Sequence, residues 1–239
     1  MKYGLTRYLA AWLPLAALFS CGKSNNPPGT ASLTIVNAVA GSNPLYCNFG
    51  GPQVLEWYGD EWPGISFGSF EEFGSYSGRQ PLALYQDTLA QSVPLYNLTL
   101  TLPIGTIHSL FLTGTTSAPD TMTTVDTPPY HPTPDSSMGI RFVNLSPGSA
   151  PVSVDIQGGA NGSEAASLPY KSITAFKDYP ATPAVSAYTF EFRDLASGAL
   201  LASYRVNSTP YLNYTIALEG IPGVGTGATA QAAYLINNY

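Results

Sequence analysis

The stretch RFVNLSPGSAPVSVDI, residues 141–156, decides how this chain is read. It opens on Arg141-Phe142-Val143 and passes through Asn144 into a Ser-Pro-Gly turn. It then resumes with Val152, Val154 and Ile156 alternating with Ser153, Asp155 and Gln157. A period of two puts one set of side chains on a core and the other on solvent, which marks a β-strand. Residues 32–49, SLTIVNAVAGSNPLYCNF, line up with residues 139–156 without a gap. Val36, Asn37, Gly41, Ser42 and Pro44 meet identical residues at Val143, Asn144, Gly148, Ser149 and Pro151. Further on, Phe67, Ser69 and Phe73 match Tyr170, Ser172 and Phe176, and Leu110, Leu112 and Gly114 match Ile216, Leu218 and Gly220. Two copies of one unit explain this order of blocks.

The same period recurs inside each copy. Tyr96, Leu98 and Leu100 alternate with Asn97 and Thr99, and Tyr188, Phe190 and Phe192 with Thr189, Glu191 and Arg193. Turn clusters such as Gly50-Gly51-Pro52 and Ala196-Ser197-Gly198 separate the runs. With 23 Gly, 21 Pro and 10% charged residues, the composition favours short strands and turns over long helices. The expected fold is all-β, two tandem β-sandwiches over residues 31–116 and 138–239. Residues 117–137, rich in Pro and Thr, read as a linker that packs no core. Tyr234-Leu-Ile-Asn237 echoes the opening strand and is expected to close the second sandwich.

The Arg141–Asp155 stretch, followed by the apolar-Pro-Tyr block from Leu168 to Tyr170, resembles the domain of unknown function 4397. The resemblance covers residues 138–220 and, more loosely, 31–114, where Asn37 and Gly41 recur but Val39-Ala40 replaces Ser-Pro. It implies tandem immunoglobulin-like sandwiches on a bacterial lipoprotein, with no established activity. Function therefore has to be argued from sites.

Residues 1–20 read as a signal peptide, with Lys2 and Arg7 ahead of an apolar run from Tyr8 to Phe19 that is too short to span a bilayer. Leu18-Phe19-Ser20-Cys21 resembles the bacterial lipobox, which makes Cys21 the expected lipidation site. Two or three acyl chains there would anchor the protein stably. Residues 21–30 then form the lipidated cysteine and a flexible tether. The expected location is the outer membrane of a Gram-negative bacterium, on its periplasmic face or at the surface.

Nine Lys and Arg stand against fifteen Asp and Glu, and losing Lys2 and Arg7 leaves a mature charge of −8. That surface repels nucleic acid, so the expected partners are the membrane through its lipid, envelope proteins or polysaccharide. With Cys21 assigned to lipid, Cys47 stands alone, in register with Val154 on the apolar parity of its strand. It is read as a buried, inert thiol. Asn37 and Asn144 are read as caps that bond local backbone.

No catalytic residue and no cofactor is expected. The two histidines, His108 and His131, lack the spacing of a metal site, and Gly74-Ser-Tyr-Ser-Gly78 has Tyr76 where a nucleophile elbow needs serine. Glu56, Asp60, Glu61, Glu71 and Glu72 could be posed as a glycosidase pair, but no matching motif supports it. The main expectation is a non-catalytic structural or adhesive envelope module. The alternative is a glycan-binding accessory protein built on EWYGDEWPG, residues 56–64. There Trp57, Tyr58 and Trp62 would stack on sugar rings while Asp60 and Glu61 took their hydroxyls. The competing reading has those tryptophans packing the end of a sandwich. Asp87-Thr88-Leu and Asp120-Thr121-Met match an O-glycosylation sequon, which makes Thr88 and Thr121 candidate acceptors.

Overall fold

A computed structural model describes residues 29–52, 64–89 and 92–238. Every regular element among them is a strand: β1 (Thr30–Asn37), β2 (Tyr46–Asn48), β3 (Ser69–Tyr76), β4 (Gly78–Tyr85), β5 (Tyr96–Leu102), β6 (Ile107–Thr115), β7 (Ala118–Asp126), β8 (Ser137–Asn144), β9 (Val152–Ile156), β10 (Ala165–Leu168), β11 (Ser172–Ile173), β12 (Lys177–Pro180), β13 (Ala187–Asp194), β14 (Leu200–Asn207), β15 (Asn213–Glu219) and β16 (Ala232–Asn238). The alternating runs at Tyr96, Val152 and Tyr188 fall in β5, β9 and β13. The described residues are all-β, as the composition indicates.

Four sheets sort by sequence into two sets. The first set has orders β3-β1-β6-β7 and β2-β4-β5; the second has β11-β8-β15-β16, with β12 also on β8, and β10-β9-β13-β14. The internal repeat is visible in this topology. In each set the opening strand pairs antiparallel with a strand in the middle of its copy and parallel with the penultimate one, β1 with β6 and β8 with β15. Each set encloses its own core. Leu33, Ile35, Leu82, Leu84, Leu110 and Leu112 fill the first, and Ile140, Phe142, Phe190, Phe192, Ile216 and Leu218 the second.

A third apolar cluster joins the sets. Val36, Ala38 and Phe111 meet Val143, Leu145, Ala217, Tyr234 and Ile236, with Phe70 and Met122 against them. The sheets that carry β1 and β8 therefore pack back to back. Every residue of β8 and β15 is buried. A strand that gives one face to a single core keeps the other for solvent, and in β8 and β15 that second face is the seam between the halves. Arg141, Thr215 and Glu219, polar residues that alternation assigns to water, lie inside it.

The stretch 117–137 differs from the expected linker. Ala118–Asp126 is β7, antiparallel to β6 along its length. It closes the first set as β16 closes the second. Its threonines and Val125 are β-branched and suit a strand, and Pro119 is tolerated because β7 lies at a sheet edge. At its end Asp126 is buried, and its carboxylate takes hydrogen bonds from Ser109 Oγ at 2.5 Å, Thr124 Oγ1 at 2.7 Å and Arg141 Nη1 at 2.8 Å. Arg141 Nε donates to Thr215 Oγ1 at 2.8 Å, and its guanidinium lies 4.6 Å from the centre of the Phe176 ring. His131, also inside this stretch, is buried between Ser137 Oγ (2.9 Å) and Asn213 Oδ1 (3.1 Å). The segment is thus fastened to the second half by side chains rather than left as a spacer.

Candidate functional site

A cleft of about 460 Å³ runs along β3, the edge strand of its sheet, and is lined by Thr30, Phe49, Glu72, Phe73, Ser75, Tyr76 and Gln80. Phe49 and Phe73 meet edge to face with ring centres 5.2 Å apart and form an apolar wall. Tyr76 is 60% exposed and presents its ring at the mouth. The Gln80 amide donates to Ser77 O at 3.1 Å. Burial first, and then the neighbouring Glu71, raise the Glu72 carboxyl above its ordinary range.

The second half shows why the cleft opens in the first. Aligning Asn37 with Asn144 places Ala31 opposite Met138. In the first half Ala31 pairs with Ser75, and in the second Met138 pairs with Tyr179. Two small residues are replaced by two large ones facing the same inter-sheet space. The Tyr179 ring packs against Tyr188 and Phe190 at 5.5 and 5.3 Å and closes the space. Its hydroxyl donates to Glu164, which also pairs with Lys177 Nζ at 2.7 Å. Alternation alone cannot report this difference, because Ser75 and Tyr179 occupy the same strand parity.

Among the sequence candidates, Cys21, Glu56, Trp57, Tyr58, Asp60, Glu61 and Trp62 lie outside the described residues. Glu71 and Glu72 are consecutive on β3, so their side chains leave opposite faces and do not converge on one bond. Thr88 is exposed in the β4–β5 connection, beside an Asp87 whose carboxylate caps Leu89 N. Thr121 lies half-buried in β7 opposite Leu112. Cys47 is half-buried against the first core, and desolvation, helped by Glu71, pushes its thiol up to about 12. It is inert at neutral pH. His108 is buried, with Nε2 2.8 Å from Thr106 Oγ1. No group of three or more His, Cys, Asp or Glu that could hold a metal ion occurs among the described residues.

The two asparagines cap their strands in the same way. Asn37 Oδ1 accepts from Val39 N at 3.0 Å and its amide donates to Ile65 O at 2.9 Å. Asn144 Oδ1 accepts from Ser146 N, and its amide donates to Leu168 O, both at 3.1 Å. The turns that follow carry Gly41 and Gly148 at φ +80° and +75°, where a side chain would be strained.

No family model matches the chain, and no curated protein does. Solved structures similar to it include a family 26 carbohydrate-binding module of Eubacterium rectale Amy13K in complex with maltoheptaose. The identity is 10% over 88% of this chain and 97% of that one, with a TM-score of 0.26. A streptococcal virulence factor described as binding alpha-glucan matches at 11% identity over 86% and 96%, also with a TM-score of 0.26. Such values say nothing of what this chain binds.

Proposed function

We propose that this chain is a non-catalytic, lipid-tethered envelope module that binds a carbohydrate chain in the cleft along β3. The observation that carries the reading is the cleft itself, in which aromatic faces stand beside a carboxylate and an amide. An aromatic ring covers the C–H face of a sugar while polar groups take its hydroxyls. The acidic mature charge favours a neutral glycan over an anionic one. Trp57, Tyr58 and Trp62, with Asp60 and Glu61, belong to the connection that leaves just after Phe49, and they are proposed as further contacts. Lipid at Cys21, the outer-membrane location, the immunoglobulin-like class, the resemblance to the domain of unknown function 4397 and O-glycosylation at Thr88 and Thr121 belong to the same reading and rest on the sequence.

The test is a titration of soluble residues 22–239 with neutral oligosaccharides, maltoheptaose and cellohexaose among them. Intrinsic fluorescence reports on Trp57 and Trp62, the two tryptophans left when Trp12 is removed. A saturable change is expected, lost in Tyr76→Ala and in Ser75→Tyr, which fills the cleft as the second half fills its own. A flat response across the panel refutes the reading. A structural or adhesive role remains the second reading, favoured by the seam that makes one body of the two halves. Crosslinking to a neighbouring envelope protein, combined with silence toward glycans, would put it first.

A further inference from the structure

Five side-chain atoms are buried without a hydrogen-bond partner among the described residues, and all belong to strand faces turned toward the seam. They are Thr34 Oγ1, Arg141 Nη2, Glu219 Oε2, Tyr234 OH and Asn238 Nδ2. Glu219 stands out because it is the one carboxylate of the set. It is 4% exposed at the end of β15, and no Lys, Arg or His among the described residues pairs with it. Its neighbour across the seam is Gly68, whose missing Cβ would lie 2.7 Å from Glu219 Oε1. Gly68 sits at φ +73° in the turn that starts β3, held by its N–H on Asn37 O at 2.9 Å. β16 of the second half packs against β3 as well. The strand that lines the cleft is thus positioned at its entry by a carboxyl from the other half.

We propose that this contact is a proton-operated joint: neutral Glu219 seats the Gly68 turn and β3 against the seam, and ionised Glu219 releases them. The groups around it support this. From β16 the Tyr234 hydroxyl faces it, itself raised well above its ordinary range by burial and by Glu219. From the β3 side Gly68 offers backbone alone, and Glu72, an exposed carboxyl four residues further along β3, is retained in Glu219→Gln and so is controlled for by that variant. The other seam charges are matched among themselves, Asp126 with Arg141 and Asp120 with Lys171. Desolvation raises the Glu219 carboxyl from 4.5 to about 8. A carboxyl raised in the closed state favours that state fully below about pH 4.5. The advantage is lost progressively up to about pH 8 and changes no further above it. Each pH unit in that window shifts the open-to-closed ratio by at most about tenfold.

The joint stands on the seam geometry alone, whereas its effect on ligand rests on the carbohydrate reading above. Amide hydrogen exchange across β3, normalised to β13 in the same molecule, separates the two. Between pH 5 and 8 the relative protection of β3 is expected to fall several-fold per pH unit in the native chain and to stay level in Glu219→Gln. Tyr234→Phe, which removes a hydroxyl but leaves the carboxyl, should keep the native response. Superimposable profiles for the native chain and Glu219→Gln overturn the joint, as does a fall shared equally by β13. Maltoheptaose titrated over the same range should bind more weakly as pH rises in the native chain and uniformly in Glu219→Gln. A pH-dependent β3 without maltoheptaose binding upholds the joint and counts against that glycan, while a level β3 with binding sinks the joint and keeps the cleft.

Discussion

Replacing Asp126 tests whether the stretch after β6 belongs to the fold. The Asp126 side chain is fully buried and that of Arg141 is 6% exposed, with 2.8 Å between them. Asp126→Ala removes the acceptor for three donors at once, Ser109, Thr124 and Arg141. Two hydroxyls can turn to other acceptors, but the guanidinium cannot shed its charge. Breaking a buried pair from one side costs about 3–5 kcal/mol, chiefly the cost of an uncompensated buried charge. Arg141→Met should cost a similar amount, because it leaves the buried Asp126 side chain with the Ser109 and Thr124 hydroxyls alone. The double variant Asp126→Leu/Arg141→Met should lie within about 1 kcal/mol of the native chain, since apolar side chains of similar volume replace both charges. Urea unfolding measures all three. With a slope of roughly 3 kcal/mol/M, each single variant lowers the midpoint by about 1 M or more at unchanged slope. A loss below about 1 kcal/mol for Asp126→Ala would mean that water already shares the pair, and that the Asp126–Arg141 contact does not fasten β7 to the second half.

Three further outcomes are expected. Gly68→Ala forces a Cβ into Glu219 Oε1 at positive φ and should cost about 1–3 kcal/mol in urea unfolding, with much of it recovered in Gly68→Ala/Glu219→Ala. Full additivity of the two substitutions would deny the contact. Asn144→Ala strips Ser146 N and Leu168 O of their partners at a fully buried site, at about 1–3 kcal/mol for each group stranded, and thermal melting reads the loss. In soluble residues 22–239 the Cys47 thiol, at about 12, keeps only about one part in ten thousand as thiolate at pH 8. A disulfide reagent should therefore label it far more slowly in the folded than in the urea-unfolded chain, and equal rates would contradict the raised thiol.

Strand identity was legible in the sequence wherever alternation and turn residues coincide, as at Val152–Ile156 and Tyr188–Arg193. The two-copy organisation was legible in Asn37 and Asn144, because a buried amide that ties a turn to a neighbouring segment tolerates no other residue type well. The lower part of the first copy was harder to read. Ala118–Asp126 holds Pro119 and runs into Pro128, Pro129, Pro132 and Pro134, and its Thr-rich pattern has no apolar face strong enough to announce a strand. Its place at a sheet edge explains this, since β7 packs Met122 toward the seam and leaves Val125 62% exposed. The cleft was invisible for a related reason. It depends on Ala31 and Ser75 being too small to fill a space that Met138 and Tyr179 fill in the other copy, and size matters there only once both sheets are in place.

Period, turn chemistry and internal repetition are local properties, so the sequence by itself determined that this chain forms short strands in two similar sets. Which faces those strands bury is not local. A strand with one apolar and one polar face is satisfied by water or by a second sheet, and residue pattern does not distinguish the two. Only the tertiary structure decided that the polar faces of β8 and β15 meet the first half. That choice put Arg141 beside Asp126, left Glu219 without a cation against Gly68, and joined the two sets of sheets through one buried seam.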